Sequence, residues 1–99
     1  MSSCKLYEPS MLSAQRMQRV YVIVAAKLGT DHWTDDNTTK EKIKEWVNGA
    51  SRVRLSVNSA SMQIFFNIPP HNPVTLTVPF AADAAQFDRF LTDVRSALE

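Results

Sequence analysis

The sequence predicts an α+β domain in which a three-stranded antiparallel sheet is covered on one face by helices. Residues 52–57, 62–68 and 74–78 alternate apolar and polar side chains, with the period of two that a half-buried strand requires. Two segments before these runs and one segment after them have the apolar spacing of helices. The order α-α-β-β-β-α therefore indicates a two-layer fold with a single sheet.

The chain is long enough for one domain, residues 1–99, and its composition is that of a globular protein. It is 44% hydrophobic and 21% charged, and its formal net charge is only +1. General nucleic-acid binders usually have a basic excess, so bulk electrostatic attraction to nucleic acid is not expected. Residues 1–9 have no periodicity, and we expect them to form a flexible arm. Cys4 is the only cysteine, which excludes an internal disulfide and favours an inert thiol.

The N-terminal residues lack the apolar segment of a signal peptide. The longest apolar run is Val20–Ala26, whereas a membrane-spanning helix takes about 20 residues. We therefore expect a cytoplasmic protein that does not enter a membrane.

The first helix is predicted between Ser10, a suitable N-cap, and Gly29, a suitable residue just after a helix. Its second half is apolar nearly all round, because Val22 and Ile23 lie opposite the main apolar stripe. Such a helix is either central in the core or shared with a partner. The alternative is a strand at Arg19–Ala25, since this segment is rich in residues that favour strands.

A polar loop over residues 29–38 precedes the second predicted helix, which runs from Thr38 to Gly49. Thr38 and Glu41 have the spacing of a capping box. The apolar residues Ile43, Trp46 and Val47 then recur at three- and four-residue intervals, which is typical of one helix face.

The last helix follows the three strands and has the clearest signals. Asp83 and Gln86 have capping-box spacing. The residues after them form a continuous apolar face: Phe87, Phe90, Leu91, Val94 and Leu98.

The polar face of the sheet is the main candidate for a working surface, because helices are expected on the other side only. Side chains that suit a partner interface alternate with the core residues there: Arg52, Arg54, Ser56, Gln63, Phe65, Asn67, Thr75 and Thr77. We expect Arg52, Arg54, Phe65, Gln63 and Asn67 to contact a partner protein, together with His71 in the Pro69–Pro73 loop and Trp33. Alternatives are a solvated face, or a nucleic-acid site in which Phe65 stacks on a base and Arg52 and Arg54 hold phosphates.

An enzyme is the remote alternative. His32 is surrounded by Asp31, Asp35 and Asp36, but this spacing matches no zinc or calcium pattern. The chain has only two glycines, which excludes a glycine-rich phosphate loop. The sequence therefore predicts a small, non-enzymatic, cofactor-free module of the inhibitor, immunity or adaptor type. Its partner is another protein or a second copy of the chain in a homodimer, because an exposed strand edge or the apolar first helix would need a cover.

Overall fold

A computed structural model describes residues 5–99; Cys4 and the first residues of the predicted arm lie outside this range. The elements are α1 (Met11–Leu28), β1 (Trp33–Asp35), β2 (Glu41–Asn48), β3 (Ser51–Asn58), β4 (Ser61–Asn67), β5 (Val74–Pro79) and α2 (Ala84–Ala97). The strands form one antiparallel sheet in which neighbours in the chain are neighbours in space, in the order β1-β2-β3-β4-β5.

The α+β class is therefore confirmed, but the prediction of a three-stranded sheet is wrong. The sheet has five strands and the element order is α-β-β-β-β-β-α. The segment predicted as a second helix from Thr38 to Gly49 contains β2, and the predicted polar loop contains β1. Three apolar residues at helical spacing were misleading, because in a strand Trp46 faces the helices while Ile43 and Val47 face away from them.

The turn between β2 and β3 shows why the chain forms a hairpin here. Asn48 and Ser51 are paired residues, so Gly49 and Ala50 form a two-residue loop. Gly49 has φ +63°, whereas Ala50 has no positive φ. A positive φ at the first loop residue alone is the requirement of a type II′ turn, whose twist suits a hairpin. Gly49 therefore closes a hairpin, although its position also suits the end of a helix.

The first helix is confirmed, and the alternative strand at Arg19–Ala25 is wrong. The Ser10 side chain accepts a hydrogen bond from the Ser13 backbone N–H at 3.2 Å. At the other end, Gly29 has φ +90° and donates its N–H to the Ala25 carbonyl at 2.7 Å. These caps satisfy terminal backbone groups that a helix leaves free.

The last helix is also confirmed with its capping box. The Gln86 backbone N–H donates to Asp83 Oδ1, and the Asp83 N–H donates to Gln86 Oε1, both at 2.9 Å. Its apolar face is buried through Phe87, Phe90, Leu91 and Val94. Across the part of the chain that the structure describes, no helix combines the length and apolarity needed to cross a membrane.

Both helices pack on the same face of the sheet, and the core lies between the two layers. Val20 and Val24 of α1 and Phe87 and Val94 of α2 are almost completely buried. The sheet contributes its alternate residues Trp46, Val53, Leu55, Val57, Met62, Ile64, Phe66 and Val78. Tyr7 also packs against this cluster, and its backbone N–H donates to the Thr38 carbonyl at 2.8 Å.

The two edges of the sheet differ in length. β1 has three residues, whereas β5 has six residues and no charged side chain. The Phe80 N–H donates to the Ala60 carbonyl at 3.1 Å, which extends the β4–β5 ladder by one pair. Because hydrogen bonding alternates along an antiparallel strand, Val78, Leu76 and Val74 direct their backbone groups at β4. Thr75, Thr77 and Pro79 direct theirs outward.

Candidate interaction surface

The sheet face that points away from the helices is the candidate functional surface, and we call it the open face. One row of paired residues crosses all five strands on this face: Thr34, Glu45, Arg54, Phe65 and Thr75. The sheet pairing places each of these side chains beside the next, since directly opposite residues point to the same side. The row therefore forms a continuous strip across the molecule.

The open face brings together five of the seven residues predicted to contact a partner. Arg52, Arg54, Gln63, Phe65 and Asn67 all lie on it, on the adjacent strands β3 and β4. A shallow depression of about 340 Å³ lies at its centre, lined by Arg52, Arg54, Ser56, Gln63, Phe65 and Thr75. Phe65 is half-buried there, so its ring forms part of the floor of the depression.

Both arginines of the open face are paired with glutamates of β2. The Nε and Nη2 atoms of Arg52 lie 2.7 and 2.6 Å from Glu45 Oε2. Arg54 Nη2 lies 4.0 Å from Glu41 Oε1. Exposed pairs contribute at most about 1 kcal/mol each to stability, so their main effect is on the charge of the surface. The two glutamates balance the charge of the two arginines, so this part of the open face is close to neutral.

Glu41 and Glu45 were not predicted as site residues, because this segment was predicted as a helix and neither residue belongs to its apolar side. A signal was present in the sequence: a glycine, here Gly49, suits the first position of a two-residue type II′ hairpin loop. A hairpin at this point makes the preceding residues a strand, and period two then places Glu41, Glu45 and Val47 on one face. Val47 is 46% exposed, so it adds an apolar patch beside the ion pairs.

Trp33 does not belong to the open face. It lies on β1 opposite Trp46, on the helix side of the sheet. Its ring packs edge-on against Tyr21 of α1 at a centroid distance of 5.0 Å. Its indole N–H donates to the Gly29 carbonyl at 2.9 Å. These contacts attach β1 to the end of α1, which is a packing role.

His71 is also separate from the open face. The Pro69–Pro73 loop follows β4, and His71 is exposed beside the C-terminal ends of both helices. Together with Asn72 it borders a depression of about 510 Å³ that has an apolar lining from Phe66, Ile68 and Val74. A partner that covers the open face would therefore contact His71 only if it also reached around the end of the sheet.

The loop with His32 and its three aspartates does not form a compact ligand set. Asp35 is paired with Lys44, whose Nζ lies 3.1 Å from Asp35 Oδ1. The Asp36 backbone N–H donates to the Ile43 carbonyl at 3.0 Å, as part of the connection into β2. Over residues 5–99, no three His, Cys, Asp or Glu side chains are grouped as a metal site requires. His32 has φ +70°, a left-handed conformation uncommon outside glycine.

Comparisons of the chain with protein families, with curated proteins and with solved structures found no match. The geometry of the described residues is therefore the basis for any functional assignment.

Proposed function

We propose that this protein is a small, non-enzymatic binding module of the inhibitor, immunity or adaptor type, which holds a partner protein on its open face. The observation that carries the proposal is the row of side chains through Glu45, Arg54 and Phe65, which crosses the whole sheet and has no fully buried member. Arginine and aromatic side chains are the anchors that protein interfaces favour. The proposal includes a cytoplasmic location and leaves a second copy of the chain as a possible partner.

The ion pairs of the open face support a protein partner over nucleic acid. A phosphate that approached Arg52 or Arg54 would also meet Glu45 or Glu41, whose carboxylates repel it. A protein surface with mixed charge can match both signs at once, which gives specificity as well as attraction. Arg52 also enters the interface with its guanidinium already held by Glu45, so less side-chain entropy is lost on binding.

The test is capture of partners from native extract on immobilised protein, with and without nuclease. We expect a stoichiometric protein that nuclease does not remove. Arg54→Glu and Phe65→Ala should each reduce its capture about tenfold, which corresponds to about 1.4 kcal/mol for a central contact. Arg89→Glu is the matched control, because Arg89 is an exposed arginine on α2, on the other side of the sheet, and it should capture the partner as the unmodified protein does.

Three results would contradict the proposal. The first is equal capture by the unmodified protein, Arg54→Glu and Phe65→Ala. The second is bound material that disappears with nuclease and weakens steeply with salt, which would make the open face a nucleic-acid platform. The third is an eluate that contains only the protein itself under conditions in which it is monomeric.

A further inference from the structure

A second surface lies on the opposite side of the molecule, where an apolar groove runs between α1 and α2. Two adjoining depressions of about 400 and 280 Å³ share Val22, Ile23 and Arg95 as lining residues. The α1 side of the groove extends from Gln18 to Lys27. At 1.5 Å per residue this is about 14 Å, or between two and three helical turns.

The floor of the groove is apolar and open to solvent. Val22 is 53% exposed, although it lies on α1 between the buried residues Val20 and Val24. Ala26 is also exposed, and Leu98 after the end of α2 is half-buried. The apolar side chains on this side of α1 are therefore not buried in the core of this chain. Ala26 leaves room in the floor for the close approach of another backbone.

The charged residues around the groove are mainly basic. Its lining contains Arg19, Lys27 and Arg95 but only one carboxylate, Glu99. Arg19 is paired with Asp88 at 3.7 Å. Within residues 5–99, neither Lys27 nor Arg95 has a carboxylate oxygen within 4.0 Å. One of these free cations stands on each helix, so both sides of the groove present positive charge.

We propose that this groove binds an amphipathic helix of a partner protein, with an apolar stripe flanked by carboxylates. The length of the groove suits anchors at positions i, i+4 and i+7 of such a helix, which is the usual spacing of helix-in-groove recognition. Carboxylates beside the stripe would lie close to Lys27 and Arg95. With the open face on the other layer, the domain then has two binding surfaces on opposite sides.

The charges disfavour a second copy of the chain as the occupant. If two α1 helices packed antiparallel with Ile23 at their crossing point, Lys27 of one copy would lie beside Arg19 of the other, and like charges would repel. A lipid surface fits less well, because the groove lining lacks the aromatic side chains that interfacial helices insert into the headgroup region.

The test uses two fluorescein-labelled synthetic helices of about 16 residues with leucines at i, i+4 and i+7. One has glutamate on the flanks of the stripe and the other has lysine at the same positions. Fluorescence anisotropy should show at least about tenfold tighter binding of the glutamate helix. Val22→Glu should weaken that binding about tenfold, whereas Val47→Glu, a matched change at an exposed valine on the open face, should leave it unchanged.

The double variant Lys27→Glu with Arg95→Glu is the decisive one, since both residues are exposed and the fold should be retained. We expect it to reverse the preference, so that the lysine helix binds more tightly. Absence of binding, or equal affinity for the two helices, would overturn the proposal. A dimer in analytical ultracentrifugation that Val22→Glu dissociates would overturn it in favour of a second copy. Co-sedimentation with vesicles of anionic phospholipid that the same variant abolishes would overturn it in favour of a lipid surface.

Discussion

Replacement of Trp46 by phenylalanine should change the stability of this protein very little, although Trp46 is part of the core. Trp46 is 5% exposed, and its indole N–H has no hydrogen-bond partner among the described residues. Trp33, its paired residue on β1, donates the same group to the Gly29 carbonyl. The two tryptophans therefore separate the effect of ring size from the effect of an unsatisfied donor.

The expected change follows from three terms, of which two destabilise the variant and one stabilises it. Phenyl is smaller than indole by roughly 40 Å³, which corresponds to about 1 kcal/mol of cavity cost. About 40 Å² of lost apolar burial adds about 1 kcal/mol. Removal of a buried, unsatisfied N–H stabilises the folded state by about 1–3 kcal/mol. The free energy of unfolding of the Trp46→Phe variant should therefore lie within about 1 kcal/mol of the original.

Urea denaturation followed by far-UV circular dichroism measures all the variants on the same scale. Trp33→Phe loses a formed hydrogen bond and should cost about 1 kcal/mol. Trp46→Ala should cost about 3–5 kcal/mol, which verifies that the site is buried. The reasoning is refuted if Trp46→Phe costs more than about 2 kcal/mol, because the indole N–H must then have a partner in solution.

Two further substitutions test the local signals that define the elements, by the same denaturation assay. Asp83→Ala removes the side-chain oxygen that accepts the Gln86 backbone N–H in the capping box of α2 and should cost about 1 kcal/mol; an unchanged midpoint would show that the helix needs no cap. Gly49→Ala should cost about 1–2 kcal/mol through backbone strain alone, since a Cβ at Gly49 meets nothing within 4 Å. If Gly49→Ala is neutral, the loop does not need the positive φ.

The parts of the fold that the sequence predicted correctly are those in which one local signal has one interpretation. In α2, the Asp83 cap and the spacing of Phe87, Phe90 and Val94 all indicate a helix, and in β3–β5 the alternation continues over whole strands. In α1, the caps at Ser10 and Gly29 were the better guide, because the strand preference of its valines is overridden by tertiary packing.

β2 could not be recognised by periodicity because both of its faces are partly buried. Trp46 faces the core, whereas Ile43 is 3% exposed on the open face. The connection from β1 to β2 runs beside Ile43. The Ile43 backbone N–H donates to Asn37 Oδ1 at 3.4 Å, and the Ile43 carbonyl accepts a hydrogen bond from the Asp36 N–H. A strand that is buried on both sides loses its alternation. β1, with three residues, is too short to have a pattern.

The sequence predicted the open-face residues that lie on β3 and β4, which were recognised as strands, and missed those on β2, which was not. Alternation correctly placed Arg52, Arg54 and Phe65 on one face, because the side on which a strand residue points depends on its position in its own strand and not on the neighbouring strands. The ion-pair partners of the arginines come from β2, so the neutral character of the open face depends on a long-range pairing that the sequence pattern did not reveal. The position of Trp33 likewise depends on a long-range contact, its packing against Tyr21 of α1, which the sequence pattern did not reveal.

The proline in β5 has a consequence for self-association of the sheet. Thr75, Thr77 and Pro79 direct their backbone groups away from β4, and proline has no N–H to donate. The outer edge of β5 therefore offers two donors, and Pro73 stands immediately before the strand. A ladder to another chain would lack donors at both ends, which prevents the long, regular pairing on which amyloid-like stacking depends. The outer edge of β5 is therefore a poor template for fibrils, although it is the longer of the two edges.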